Sequence, residues 1–598
     1  MRSTVPQTYE HSPVDYRAGE TRLVEVLPGR QYEPIEIRLH NHYLGSQQKY
    51  EMLSYVWGSP QVSHPVFCNG KSLEVTPNLH RCLLQHRSQR PCPWLWVDAL
   101  CINQSDLEEK NHAVRNMRQY YLEAERTICW VGTSLPPSAL RLITRLRNLR
   151  QKIGVDSPQS GSVLNRSFRR LGKEEVPMQS RLVTDPDPYH SNVKISASIL
   201  GLFQAEKDIA DSEAWQGLNR FLNDSYFHRV WILPDWVYSK SSIFRCGSEE
   251  ISWDELFAAL ELCWFYSTDD SLTSSGHVSV VIGGFLRQSL GSMTFPEALL
   301  ARQAGSFGAT NPSDNIYSVM EFASLPGLTI DYTRSAEELY KEAALQLGIM
   351  SFSLVDHGPQ PPSYGSWVPD WGVARKRFLL NHPKSLFMAS LRNGSSISRE
   401  PRVLCNCTAL DVIKATSSYL PPRRHYDHYN VSAGNLIIFD DWIDFVKEQV
   451  GAVGSTQDIG TEALLQFAET VQARGCNSIW ERKTPQEPAE LIKQTLDFLN
   501  LVEDENAEAT IQIRLFYAAC YPSHHRRFGI TEQGHFCLVP QSTKRGDMVC
   551  IPHGSKVPLV FRREGGGFLN LGESYVHGCM YGEAAFLDSS EELELHVL

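Results

Sequence analysis

Near its amino terminus the chain reads Leu53-Ser54-Tyr55-Val56-Trp57-Gly58 and then Trp94-Leu95-Trp96-Val97-Asp98-Ala99-Leu100-Cys101-Ile102-Asn103-Gln104. Each stretch begins with an apolar run that is too short for a full helix and is typical of a buried strand. Each run ends in residues that form hydrogen bonds or bend the backbone. In open α/β sheets the ligand crevice lies at such strand ends. A shared pocket is therefore predicted from Ser54, Tyr55, Asp98, Asn103 and Gln104.

The same polar residues have a second interpretation. Side chains at strand ends also cap helices and fix turns. On this interpretation Asp98 holds the turn at residues 100–104 and has no ligand. Both interpretations stay open at the level of the sequence.

The segments around these strands predict a parallel sheet. Thr76 precedes Pro77 as a cap before the first turn of a helix, and Ser105 with Glu108 is typical of a capping box before the next helix. Residues 127–131 then return as a third buried strand. Because strands and helices alternate, we expect an α/β fold with right-handed crossovers between parallel strands.

The chain has 598 residues, which is too long for a single core. We predict an N-terminal extension with a β-hairpin over 1–45, followed by an α/β domain over 46–240 with a mobile insertion near 154–191. A mostly helical middle region over 241–400 is expected to pack on this domain. The last part, over 401–598, is predicted to be mixed α/β and to end in a small antiparallel β unit.

Composition excludes several classes of protein. The formal net charge is −11 and no long run of Lys or Arg occurs, which argues against nucleic-acid binding. No apolar stretch reaches the roughly 20 residues that cross a bilayer, and residues 1–20 lack a signal-peptide core. Fourteen cysteines include no CxxC pair. We therefore expect a cytoplasmic protein with no metal site and no membrane span.

Several longer motifs carry a resemblance to a known family. They follow one another in the order Glu109-Lys110-Asn111-His112, Trp130-Val131-Gly132 and Tyr226-Phe227-His228-Arg229-Val230-Trp231. Together with the two opening segments they resemble the fungal heterokaryon incompatibility (HET) domain. The resemblance implies a flavodoxin-like sheet related to TIR domains, a role in nonself recognition and programmed cell death, and protein partners or self-association through this domain. Gly572-Glu573 and Tyr575-Val576-His577-Gly578 are similar to the carboxy-terminal part of many HET proteins.

The resemblance also implies a catalytic carboxylate. Several TIR relatives hydrolyse NAD through a glutamate, and HET proteins typically read Gln-Glu where this chain reads Pro234-Asp235. Asp235 is therefore the candidate catalytic residue, with NAD as substrate and no cofactor required. The candidate pocket also includes Trp57, Gly58, Arg229 and Trp231.

Physical chemistry explains why the departure from Gln-Glu matters. Cleavage of the nicotinamide–ribose bond builds positive charge on the ribose, which a neighbouring carboxylate stabilises. The carboxylate of Asp235 is one methylene closer to the backbone than that of glutamate, and a shift of about 1 Å can cost about a hundredfold in rate. Pro234 is expected to push Leu233 out of helical geometry. The alternatives are that Asp235 caps a helix, and that the domain is a non-catalytic interaction module.

Overall fold

The computed structural model describes most of the chain. It covers residues 7–58, 61, 63–88, 93–152, 212–247, 249–266, 275–291, 293–305, 307–356, 363–373, 379–381, 387–391, 397–398, 403–420, 433–451, 459–473, 488–503, 520–586 and 591–598. The insertion predicted near 154–191 lies outside the described residues.

Among the described residues, the first sheet has nine strands. They are β1 (Glu20–Val26), β2 (Glu36–Tyr43), β3 (Tyr50–Ser54), β4 (His64–Cys68), β5 (Lys71–Val75), β6 (Trp94–Trp96), β7 (Thr127–Val131), β8 (Ser242–Cys246) and β9 (Glu249–Ser252). Their spatial order is β5-β4-β2-β1-β6-β3-β7-β8-β9. The hairpin predicted before the first core strand is the antiparallel pair β1–β2, and it belongs to this sheet.

The centre of the sheet confirms the predicted α/β fold. Strands β6, β3, β7 and β8 pair in parallel, whereas β1 and β9 add antiparallel strands on either side. Counted along the chain, the four parallel strands stand in the order second, first, third, fourth. A flavodoxin-like sheet begins with this order, and its ligand crevice lies where the order reverses, between the first and third strands. Here that position is between β3 and β7, both of which are buried along their whole length.

Helices cover the sheet and fill the middle of the chain. In the first 240 residues they are α1 (Pro77–Arg87), α2 (Asp98–Cys101), α3 (Leu107–Arg115), α4 (Met117–Glu123), α5 (Pro137–Lys152), α6 (Ser212–Leu222) and α7 (Ile232–Tyr238). They are followed by α8 (Trp253–Tyr266), α9 (Ser275–Gln288), α10 (Phe295–Ala304), α11 (Asp314–Met320), α12 (Ala336–Leu347) and α13 (Ile349–Leu354). The mostly helical middle region is thereby confirmed.

Helix caps agree with the sequence at some positions and differ at others. The Thr76 side chain accepts a hydrogen bond from a backbone N–H in the first turn of α1, and Ser335 with Glu338 forms a capping box at the start of α12. The capping box predicted at Ser105 and Glu108 is wrong. Asp106 caps α3 instead, because its carboxylate accepts from two backbone N–H groups of the first turn.

Two segments of the middle region meet around a buried arginine. Arg302 donates to the carbonyl of Trp371 and to the side chain of Asn315. Asn315 in turn donates to the carbonyl of Pro312 at 2.9 Å. Burial lowers the pKa of Arg302 to about 10. Trp371 belongs to the core that the middle region shares with the carboxy-terminal part of the chain.

The second sheet is larger than the small antiparallel unit predicted from the sequence. It comprises β10 (Ile397–Ser398), β11 (Val403–Tyr419), β12 (Arg526–Thr531), β13 (Phe536–Pro540), β14 (Met548–Pro552), β15 (Leu559–Glu564), β16 (Gly567–Glu573), β17 (Tyr575–Val576) and β18 (Glu591–Val597). The helices α14 (Ala433–Val450), α15 (Thr461–Val471) and α16 (Pro488–Glu503) lie between β11 and β12 in the chain.

The second sheet closes on itself. β11 pairs with both β14 and β18, and the path β14-β15-β16-β18 returns to β11, with a parallel contact between β16 and β18. A closed path of strands leaves no free edge among its members. The sequence did not predict β11 as part of this barrel, because bulges interrupt its two-residue period and its partners are distant in the chain.

Candidate functional site

The candidate site lies at the carboxyl edge of the first sheet, where the order of parallel strands reverses. Ser54 is the last residue of β3 and pairs with Cys129 of β7. Tyr121 comes from α4, and Asp235 comes from the first turn of α7. Three separate elements therefore bring their side chains to the position where a flavodoxin-like sheet binds its ligand.

Asp235 is the centre of a buried hydrogen-bond network. Its side chain is only 3% exposed. One carboxylate oxygen accepts a hydrogen bond from the Ser54 hydroxyl, and the other accepts one from the Tyr121 hydroxyl. The Tyr226 hydroxyl lies 2.9 Å from Ser54 Oγ and accepts a bond from the Trp236 indole at 3.1 Å. Both oxygens of Asp235 are thus held by hydroxyl groups.

Burial changes the acidity of Asp235. Because the carboxylate is removed from water, its pKa rises from 3.8 to about 6, although Arg229 and the hydroxyls of Ser54 and Tyr121 favour the charged form. The charge of Asp98 opposes them and raises the pKa. A buried carboxyl group that titrates close to neutral pH is common at functional sites.

The structure also shows what Asp235 does in its helix. The observed hydrogen bonds of its carboxylate go to side chains from other elements, so the helix-capping interpretation does not describe it. The expected break at Pro234 is wrong, because Leu233 and Pro234 are both helical. Proline is tolerated there since it lies in the first turn, where the backbone N–H groups lack intrahelical partners.

Arg229 connects the buried network to the outer edge of the site. Its guanidinium donates to the carbonyl of Tyr55, the residue after β3. Its positive charge favours the ionised forms of Asp98, Asp235 and Asp314. Arg229 is therefore the cation that three carboxylates share.

The outer edge contains the most accessible members of the predicted pocket. Trp57 is 38% exposed, and its indole donates to Asp98 at 2.8 Å. Gly58 follows with φ +80°, a left-handed conformation that favours glycine. Asp98 also accepts a bond from the backbone N–H of Ala99 at 2.7 Å, and burial raises its pKa. These contacts place a partly exposed aromatic ring next to a carboxylate.

The remaining predicted pocket residues hold the turn after β6. The Gln104 side chain donates to the carbonyl of Asp98 at 3.0 Å. The Asn103 side chain accepts from the Ser105 hydroxyl at 2.7 Å. The sequence left open whether these side chains line a pocket or fix a turn. The observed contacts of Asn103 and Gln104 are those of a turn.

Three site residues were missed at the sequence level. Tyr226 belongs to a motif that we used for the family resemblance, but neither its hydroxyl nor that of Tyr121 was assigned to the site. Asp314 accepts a hydrogen bond from the Tyr332 hydroxyl at 2.6 Å, and the Trp231 side chain favours its ionised form. Asp314 lies in the middle region, and its proximity to Trp231 depends on the folding of that region onto the first domain.

The arrangement limits what can bind without movement. The partly exposed groups Trp57, Asp98 and Arg229 form the outer part of the edge, and Asp235 lies beneath it.

The parts of the chain that the structure describes contain no group of three His, Cys, Asp or Glu side chains that could hold a metal ion. Among the helices that the structure describes, none combines the length and the apolar character that a bilayer crossing requires.

Comparison with known proteins gives two domain matches and a relative of similar length. Residues 50–234 match the family described as heterokaryon incompatibility protein (HET), and residues 489–595 match the Het-6 beta-barrel domain. The chain is 22% identical over 705 residues to heterokaryon incompatibility protein 6, OR allele, of Neurospora crassa. That alignment covers 99% of this chain and 98% of the relative. No solved structure matches the chain.

Proposed function

Because this chain carries a heterokaryon incompatibility domain followed by a Het-6 beta-barrel domain, we propose that it acts in fungal nonself recognition that ends in programmed cell death. The observation that carries this proposal is the alignment with heterokaryon incompatibility protein 6 over nearly the whole of both chains. Cytoplasmic location and protein partners or self-association through the HET domain are parts of the same proposal.

The proposed chemistry is TIR-like hydrolysis of NAD at the carboxyl edge of the first sheet. The supporting observation is that Ser54, Asp98, Arg229 and Asp235 meet at the strand reversal. In this proposal the Asp235 carboxylate stabilises the positive charge that develops on the ribose, and the hydroxyls of Ser54 and Tyr121 fix its orientation. Because Asp235 is 3% exposed, α7 has to move before a ribose can contact it.

A non-catalytic function is the second candidate, and the burial of Asp235 favours it. Both carboxylate oxygens have hydroxyl partners inside the fold, so Asp235 joins β3, α4 and α7 without any ligand. In that case the HET domain signals by association with partner domains. The two candidates differ in whether cell death needs the charge of Asp235 or only its packing.

Expression of the full chain in a filamentous fungus tests the proposed function. We expect induction of the wild-type chain together with its incompatible partner to reduce the fraction of viable hyphal compartments. Asp235→Asn keeps the size of the side chain and removes its charge, so the catalytic candidate predicts loss of killing at equal protein level. Asp254→Asn is the matched control, because Asp254 also lies in the first turn of a helix but is exposed.

Two results would contradict parts of this proposal. Killing that Asp235→Asn retains would contradict the catalytic role and leave the association role. Survival of hyphae that express the wild-type chain together with every tested allelic partner would contradict the incompatibility function itself.

A further inference from the structure

Residues 307–332 form a segment that we call the strap, and it contacts the amino-terminal side of α7. The backbone N–H of Gly308 donates to the carbonyl of His228 at 2.6 Å, and that of Val230 donates to the carbonyl of Gly308 at 3.0 Å. A few residues further along the chain, Asp314 interacts with the Trp231 side chain, which favours the ionised form of Asp314. The strap therefore holds the segment from which α7 begins.

The strap also holds the carboxy-terminal end of α7. The Tyr238 hydroxyl donates to the backbone carbonyl of Glu321. The rings of Tyr238 and Phe322 stack with centroids 6.0 Å apart and an angle of 16° between their planes. Since α7 has only seven residues, contacts at both ends leave it little freedom to move independently of the strap.

The end of the strap contacts helix α3. Asn111 of α3 accepts from the backbone N–H of Tyr332 at 2.8 Å, and the Lys110 ammonium lies 4.2 Å from the Tyr332 ring centre. Arg115 donates to the carbonyl of Ile330. Helix α4 follows α3 directly, so the strap is also connected to the helix that carries Tyr121.

A second contact, besides the Tyr121–Asp235 hydrogen bond, joins α4 to α7. The Arg118 guanidinium of α4 lies 5.2 Å from the ring centre of Tyr238 on α7, in the range of a cation–π contact. Burial raises the pKa of the strap residue Glu321 to about 8, although the charge of Arg118 lowers it. Helices α4 and α7 thus meet next to Glu321, the strap residue whose carbonyl accepts the hydrogen bond from the Tyr238 hydroxyl.

We infer that the strap is an autoinhibitory clamp that keeps α4 and α7 together and so keeps Asp235 closed. Exposure of Asp235 requires separation of Tyr121 on α4 from Asp235 on α7. The strap bonds to α7 directly and reaches α4 through α3, so it opposes that separation. The importance of opening for activity rests on the proposed function, whereas the clamp itself does not.

Amide hydrogen exchange of the full chain tests the clamp. The double variant Arg115→Ala, Tyr238→Phe removes one strap bond on each side and keeps the ring that stacks on Phe322. Because each lost hydrogen bond changes a local opening equilibrium about fivefold, we expect exchange in α4 and α7 to rise by about tenfold or more. Tyr238→Phe alone is the milder variant, with an expected rise of about fivefold in α7.

A matched pair of substitutions outside the strap is the control. Tyr16→Phe removes the hydroxyl bond from Tyr16 to Glu108, and Arg141→Ala removes an exposed arginine of α5. We expect exchange in α4 and α7 to stay at the wild-type rate in this control.

Two results would overturn the clamp. In the first, α4 and α7 exchange at wild-type rates in the double variant. In the second, strands β12 and β13 of the second sheet lose protection to the same extent, which indicates a general loss of stability. Cell death that does not depend on Asp235, combined with faster exchange confined to α4 and α7, would support the clamp and contradict only the proposed effector site.

Discussion

The first domain and the barrel each hold a buried carboxylate, and the two are stabilised in different ways. Glu573 in the barrel is fully buried and forms an ion pair with Arg526 at 2.7 Å. It also accepts hydrogen bonds from the backbone N–H groups of Leu380 and Asn381 at 2.8 and 3.0 Å. Asp235, in helix α7 beside the first sheet, has hydroxyl partners for both of its oxygens.

The difference indicates different roles for the two regions. A buried charge is costly unless a cation and hydrogen bonds compensate it. Glu573 has both, and its hydrogen bonds connect the barrel to residues 380–381. Asp235 has hydrogen bonds but shares Arg229 with Asp98 and Asp314, and its pKa is raised to about 6. Because the negative charge of Asp235 is compensated less fully, this carboxylate is suited to a change of its protonation state or of its hydrogen-bond partners.

The largest expected effect concerns the barrel pair. Arg526→Met leaves the Glu573 charge without its cation, so we expect the free energy of unfolding to fall by about 3–5 kcal/mol. Urea denaturation of the full chain, followed by circular dichroism, measures this loss. Arg30→Met is the control, since Arg30 and Glu33 form an exposed pair, and a change within about 0.5 kcal/mol is expected. Equal effects in the two variants would contradict the structural role of the Arg526–Glu573 pair.

The next effect concerns the hydroxyls that hold Asp235. Tyr121→Phe removes a hydrogen bond to a charged group, which is worth about 1.5–3 kcal/mol. Tyr50→Phe is the comparison, because the Tyr50 hydroxyl donates to the neutral carbonyl of Tyr120 at 2.8 Å. A hydrogen bond between neutral groups contributes about 1 kcal/mol to stability. Urea denaturation at pH 7 measures both. A cost for Tyr121→Phe no greater than that for Tyr50→Phe would show that Asp235 is not ionised at this pH.

The pH dependence of stability sharpens the comparison further. The pKa of Asp235 is 3.8 without burial and about 6 in the folded protein, so the folded state binds the proton more tightly than the unfolded state. Wild-type stability should therefore decrease relative to Asp235→Asn as the pH rises from about 4 to 6, by a few kcal/mol, and the difference should be constant above that range. A difference between the two proteins that does not change from pH 4 to 7 would contradict the raised pKa.

The smallest effect is expected at the outer edge of the site. Trp57→Phe removes the indole bond to Asp98, but Trp57 is partly exposed and Asp98 keeps the backbone N–H of Ala99. We expect the free energy of unfolding to fall by less than about 1 kcal/mol. A loss of several kcal/mol in urea denaturation would show that Trp57 is a structural residue of this edge.

The sequence predicted those parts of the molecule whose signals are local. Apolar runs predicted β3, β6 and β7, Thr76 predicted the start of α1, and polar strand ends predicted that Ser54 would lie at the edge of the sheet. The contact between Ser54 and Asp235 joins residues far apart in the chain, and only the family resemblance pointed to Asp235. No local pattern places Tyr121, Tyr226 or Asp314 beside these residues.

Local signals also misled at certain positions. Ser105 and Asp106 are both good helix caps, and the sequence alone favoured the wrong one because the spacing from Ser105 to Glu108 fits a capping box. Pro234 is a helix breaker in a helix interior, whereas its position in the first turn of α7 makes it compatible with the helix. The size of the barrel was missed because closure depends on the pairing of β11 with strands more than a hundred residues later.

Nicotinamide release from NAD by the purified full chain tests most directly whether the edge around Asp235 is an effector site. Wild type, Asp235→Asn and the strap variant Arg115→Ala, Tyr238→Phe are compared at equal concentration. The proposed chemistry predicts release by wild type, more release by the strap variant, and none by Asp235→Asn. Equal release by wild type and Asp235→Asn, or no release by wild type and the strap variant alike, would contradict it.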